Sequence, residues 1–220
     1  MTVFDAGTKR RITRQWSSLF PYLTAWKPMR LVRRVGPVLQ GITLDRSTSG
    51  PHYFATSHLH ALTRPFPVVS LSLSHRVLEA SGQPERIGVD ETDLTDVAER
   101  LVEQTTHSLA ETAPTVADLV RVYHATAARL QRTGGPPAVL EMEDSILVAS
   151  VAGDDDLVAS GLRLAEELAE LWPSARLPPD WTTAANWLEG LAAEAGKPSA
   201  IAETVAEEIR NHRLEKVRAV

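Results

Sequence analysis

The sequence predicts an α+β protein: an N-terminal antiparallel β-meander packed against a C-terminal multi-helix bundle of antiparallel helical hairpins. Three observations predict it. Apolar residues alternate with period two between Met29 and His75, they recur at helical spacing from about Asp90 to the end, and Gly/Pro punctuation separates the helical runs. The chain divides on this reading into 1–88, a basic helix plus meander, and 89–220, an acidic helical region, together forming one continuous unit.

The elements follow in order. Thr8 to Phe20 reads as an amphipathic helix, with Ile12, Trp16 and Leu19/Phe20 on one stripe, and Pro21 stops it. Val38, Ile42 and Leu44 begin the alternation after Gly36-Pro37, where a bulge or break is expected. His52 to Leu62 reads as the next strand and Pro67 to His75 as another, joined through residues 63–67. That connection puts His60 opposite Ser70, His58 opposite Ser72 and Thr56 opposite Ser74, with Cβ atoms about 5 Å apart. One face of this sheet is expected to be buried and the other polar.

Helical signals then take over. Asp90 is the expected cap of a helix carrying Leu94, Val97, Ala98 and Leu101. Thr115 with Asp118 three residues on has the spacing of a capping box, ahead of Leu119, Val120, Tyr123 and Ala127. Further helices are expected over Ala138–Ala152, Leu157–Trp172, Asp180–Ala195 and Ser199 to about Lys216, with Asp154 to Asp156 capping the second of these. Five or six consecutive helices with short connections pack as antiparallel hairpins.

Composition narrows the functional classes. The 220 residues are 43% apolar and 23% charged with no cysteine, which excludes a disulfide framework, a cysteine-ligated metal site and a disordered chain. No apolar run approaches the roughly 18 residues of a membrane span, and Asp5, Lys9, Arg10 and Arg11 interrupt any secretory signal; a cytoplasmic protein is expected.

Charge is segregated. Through Gly50 nine Lys/Arg face two Asp, while residues 91–220 carry −12 of a total of −5. Such segregation means either that the basic segment packs on the acidic one, the commoner outcome, or that an anionic partner docks. In the second case Lys9, Arg10, Arg11, Arg14, Arg30, Arg33 and Arg34 contact an acidic protein or phosphates, with Trp16, Tyr22 and Trp26 near by for stacking. Trp16 lies on the apolar stripe and is assigned to the core.

A second cluster sits on the meander. His52, His58, His60, Ser70, Ser72 and Ser74 form a polar strand face, read first as a surface, solvated or helix-covered. A metal centre on His58 and His60 lacks carboxylates, since none occurs from His52 to His75, and serines on a flat strand lack the turn that presents a nucleophile. Glu141, Glu143, Asp144 and Asp154 to Asp156 do not follow an EF-hand loop. Phosphate-loop, dinucleotide and zincin motifs are missing from the sequence, so no catalytic residue, metal or cofactor is assigned.

Two further interface candidates are the charged last helix around Ile201, Val205, Ile209 and His212, and Trp181 with Trp187 near Pro178-Pro179. The expected function is a non-catalytic cytoplasmic protein-interaction module: an adaptor, immunity-type or accessory subunit of a bacterial multi-component system. Nucleic-acid binding by the arginines comes second. A metal-dependent enzyme at the His/Ser face comes third.

Overall fold

A computed structural model of the chain describes residues 4–69, 72–173, 177 and 183–220. An antiparallel sheet leads and five packed helices follow, as the α+β pattern requires. Helix α1 (Ala6–Leu19) starts where the Asp5 carboxylate accepts the Thr8 amide at 2.7 Å. Strands β1 (Thr24–Lys27), β2 (Arg30–Val35), β3 (Val38–Arg46), β4 (His52–Ala61) and β5 (Ser72–Arg76) neighbour one another in chain order, and β6 (Ile87–Gly88) pairs with the start of β4.

Gly36-Pro37 is neither bulge nor break. It is the two-residue link of a hairpin that pairs Val35 with Val38. Gly36 takes φ +55°, which glycine adopts without a Cβ penalty, and proline fixes the next φ. The β1–β2 hairpin, at Pro28-Met29, needs a positive φ too, but Met29 supplies it at +68°. Burial of the Met29 side chain and a 2.8 Å hydrogen bond from its N–H to Thr13 Oγ1 hold it there, tying the hairpin to α1.

Register departs from expectation at the far edge. Thr56 pairs with Arg76 and Ser57 with His75, two residues beyond the predicted alignment. The ladder then shifts, so that Ser72 stands opposite Leu59 instead of His58, and Leu73 takes φ +44° at the irregularity. Residues 67–69 lie outside the strand.

Both faces of the sheet are covered, which corrects the expectation of one polar face. On one face Leu31, Ile42, Leu44, Tyr53 and Ala55 pack with Ile12 and Trp16 of α1 and with Val97 and Leu101 of α2 (Thr95–Gln104). Farther along, Val35, Val38, Leu59 and Ala61 meet Leu119, Val120 and Tyr123 of α3 (Val116–Arg132) and Val148 and Ala149 of α4 (Val139–Val151). On the opposite face Val32, Leu39, Leu62 and Val69 pack with Val205 of α7 (Pro198–Asn211) and with Leu214 and Val217 after it. The C-terminal segment is itself bonded to the sheet: Arg34 N donates to Arg218 O at 2.8 Å and Val220 N to Arg34 O at 3.0 Å.

Helix α2 therefore belongs to the sheet layer, and α3 to α7 form the bundle. Its core joins Met142, Ile146, Leu147, Ala165, Leu168, Leu191 and Ile201, with α5 (Asp155–Leu171) and α6 (Ala184–Ala195) completing the hairpins. Caps follow the sequence in part. Thr115 and Asp118 form the capping box, and Asp154 accepts from the Leu157 amide at 3.0 Å. Asp90 does not cap α2; Leu94 holds that position and Asp93 accepts from Thr95 N at 3.1 Å. No helix among the described residues is long and apolar enough to cross a membrane.

Candidate functional site

Helix α1 and the β1–β2 hairpin enclose a basic trough. Arg10, Thr13, Arg14 and Ser17 of α1 line one wall, and Ala25, Trp26, Lys27 and Pro28 the other, around a volume of about 380 Å³. A second depression of about 440 Å³, lined by Ala6, Lys9, Arg10, Pro28 and Met29, continues it around Arg10 and Pro28. Arg10, Arg14 and Lys27 are exposed and Lys9 is half-buried. Burial, then the charges of Arg30 and Arg213, lowers the Lys27 pKa, so six cations share one region. Among the described residues no carboxylate lines either depression and none of these cations forms an ion pair.

The sequence-predicted basic set thus splits by geometry. Lys9, Arg10 and Arg14 meet in the trough, and half-buried Arg30 pairs across the hairpin with Lys27. Three others hold the fold together. Arg11 donates to Gln15 Oε1 and Val89 O, fixing α1 to the segment after β6. Arg33 is buried: its Nε donates to Gln40 Oε1 at 2.7 Å, its Nη1 to Glu111 O at 3.2 Å, and its guanidinium lies over the Tyr22 ring. Half-buried Arg34 anchors the C-terminal segment through its backbone. Lys27 and Arg213, outside the sequence-predicted basic set, complete the region together with Trp26, which the sequence placed near by for stacking. Trp26 sits under the Lys27 ammonium, 3.9 Å from the ring centroid, and its Nε1 donates to His212 O.

Internal neutralisation, the commoner fate of such charge blocks, does not take the form of direct ion pairs between the two blocks: among the described residues none joins residues 1–50 to residues 91–220. The nearest case, Arg64 to Glu143 at 2.6 Å, starts beyond β4.

The His/Ser face is a correction. His58 and His60 are each 1% exposed, because α7, the C-terminal segment and residues 62–69 cover the face on which they stand. His60 meets Phe66 edge-on at 5.2 Å, beside His212 and Glu208. Glu208 is buried, accepting from Phe66 N at 3.1 Å and Asn211 Nδ2 at 3.1 Å, with His212 Nε2 at 3.2 Å. Burial dominates the titration: it pushes His58 down to about 3 and His60 to about 4. His52 is half-buried and Ser74 exposed; Ser70 lies outside the described residues, as does the side chain of Ser72. A hydrolytic metal centre needs a solvent-open coordination position, and on this face the imidazoles lie beneath a cover of apolar side chains, backbone, Glu208 and His212. Among the described residues no group of three or more His, Asp or Glu is placed to hold a metal ion.

The acidic candidates also go into packing. Trp187 Nε1 donates to Glu143 Oε1 at 2.7 Å and its ring lies 5.4 Å from that of Trp172, so Trp187 serves the bundle; Trp181 lies outside the described residues. Asp144 is 1% exposed on α4, and burial raises its pKa to about 7 despite Arg64. No protein-family model matches the chain, and neither the curated proteins nor the solved structures yield a match.

Proposed function

We propose that the chain is a non-catalytic protein-interaction module that holds an acidic segment of a partner protein in the trough between α1 and the β1–β2 hairpin. An adaptor, immunity-type or accessory-subunit role in a cytoplasmic bacterial assembly is the wider setting of this reading. The observation that carries it is the meeting of Lys9, Arg10, Arg14 and Lys27 around one concave surface without a carboxylate in its walls. Folded proteins intersperse their surface charges unless a field is put to use, and a like-charged concavity draws counter-charged ligands toward it. Half-buried Trp26 in the wall gives the trough an aromatic side, a residue type enriched where partners anchor. A protein partner fits better than nucleic acid because Arg11 and Arg33, two of the seven cations a phosphate backbone would need, spend guanidinium donors within the fold.

The test compares the purified full chain with its R10E/R14E/K27E variant, using a labelled glutamate-rich peptide and a single-stranded oligonucleotide of equal charge. All three positions are exposed, so the variant is expected to fold. Peptide binding should weaken by about tenfold or more on reversal of three exposed charges, and should fall as salt rises from about 0.05 to about 0.3 M. Equal peptide affinity for both proteins overturns the reading. So does tighter binding of the oligonucleotide than of the peptide.

A further inference from the structure

We infer that the partner's docking segment is an extended acidic chain that adds to the sheet as a new strand along β1. This rests on the trough being the docking site and deepens it by giving the ligand a backbone conformation. Among the described residues strand β1 is an edge: it pairs with β2 alone, through Thr24↔Val32, Ala25↔Leu31 and Lys27↔Arg30, with a register shift between Ala25 and Lys27. An edge presents outward N–H and C=O groups as a template for another strand, the mode by which many sheets capture extended peptides.

Two observations show that this edge is the suitable one. The C-terminal segment bonds to the sheet backbone at Arg34, past the end of β1, and its hydrogen bonds to β1 involve β1 side chains: Arg218 N donates to Thr24 Oγ1 at 3.0 Å and Trp26 Nε1 to His212 O at 3.0 Å. Both edges carry a register shift, but at β5 it coincides with the positive φ of Leu73 inside the strand, and only β1 borders the basic trough.

The wall of the trough sets the side-chain chemistry. Arg10 and Arg14 stand four residues apart on α1 and line the same trough, so their Cβ atoms are about 6 Å apart. Alternate residues of an extended chain repeat about every 6.7 Å on one side. Carboxylates at alternate positions of an added strand therefore match the two guanidiniums, and Lys27 lies at the end of the same edge. Ala25 is small and exposed, which leaves the wall open beside the strand.

The experiment uses the isotope-labelled full chain and a short, end-blocked peptide alternating Glu and Val. Two further versions are N-methylated at alternate residues, one in each phase, so that only one phase removes the donors that face β1. One phase should lose affinity by about tenfold or more while the other binds like the parent, because a strand shows its donors to a neighbour at every second residue. Binding of the parent should also slow amide exchange within Thr24–Lys27. Equal binding of both phases, or equal damage by both, overturns strand addition yet leaves the acidic-partner reading standing. Failure of the parent peptide to bind, with R10E/R14E indistinguishable from the wild type, overturns both.

Discussion

Acidification from pH 7 toward pH 4 is expected to unfold the protein cooperatively, with a midpoint well above the range in which ordinary carboxylates titrate. Burial holds His58 at about 3, and His60 and His107 at about 4. In the unfolded chain each returns to about 6.5. Below that value the unfolded state takes up protons that the folded state refuses, so stability present above pH 6.5 is lost as the pH falls. The groups facing these rings do not reverse the sign. His107 and Arg30 add to the penalty at His58, and His75 and Arg33 to that at His107. Glu208 favours a charged His60, while His212 opposes it. Asp144 runs the other way: its pKa is raised from 3.8 to about 7, so its contribution is lost as the pH rises through that window. Three histidine protons against one carboxyl proton leave a net of two, a loss of roughly 3 kcal/mol per pH unit between about 4 and 6.5. Domain stabilities are about 5–15 kcal/mol, so the roughly 5–6 kcal/mol lost over two such units equals the whole stability of a domain at the lower end of that range. Tryptophan fluorescence and far-UV circular dichroism across the titration check this. A chain still native at pH 4, melting as it does at pH 7, contradicts it.

The second large effect is a gain. Asp144→Asn should stabilise the protein by about 2 kcal/mol at pH 8, and the gain should disappear by pH 4. Asp144 is enclosed on α4 near Arg64, Glu141 and Glu143, and its Oδ1 has no hydrogen-bond partner, nor has the buried Tyr123 hydroxyl. At pH 8 the carboxyl must ionise in an environment that resists the charge, and an amide of the same shape avoids that cost. At pH 4 the native carboxyl is neutral already, so the two proteins converge. Thermal melts at both pH values decide it: no gain at pH 8, or an equal gain at pH 4, would show that burial of the charge is not what Asp144 costs.

How much of this was legible in the sequence depended on the distance over which each feature is determined. The capping box at Thr115 and Asp118, the Asp154 cap and the apolar stripe through Ile12 and Trp16 are local, and they appear where periodicity and side-chain chemistry put them. Alternation along β4 also places Thr56, His58 and His60 on one side and Leu59 and Ala61 on the other. What alternation does not contain is the material that covers the second face. That cover comes from α7 and the segment after it: the Phe66 carbonyl meets His212 Nε2, 146 residues on, at 3.1 Å. A strand reading has no means of anticipating that contact, so His58 and His60 read as surface and lie inside.

The trough was half visible for a related reason. Lys9, Arg10 and Arg14 recur on α1, but Lys27 stands in Trp26-Lys27-Pro28, which carries no strand signal. The hairpin that makes it β1 closes through Met29 at φ +68°, a conformation usually marked by glycine or asparagine. Arg33 shows the opposite failure: a cation in a strand looks available, and only Gln40 opposite it in β3, together with the carbonyls of Glu111 and Ser108, shows where its donors go.

A charge exchange across the trough tests the central claim most directly. Arg14→Glu should weaken the Glu/Val peptide by a few-fold, and a peptide with Lys in place of its glutamates should bind the wild type poorly. Combining the Lys peptide with R10E/R14E should restore a large part of the lost affinity, since the attraction is re-formed with its signs reversed. A Lys peptide that binds the reversed protein no better than it binds the wild type contradicts the claim that these cations receive the partner.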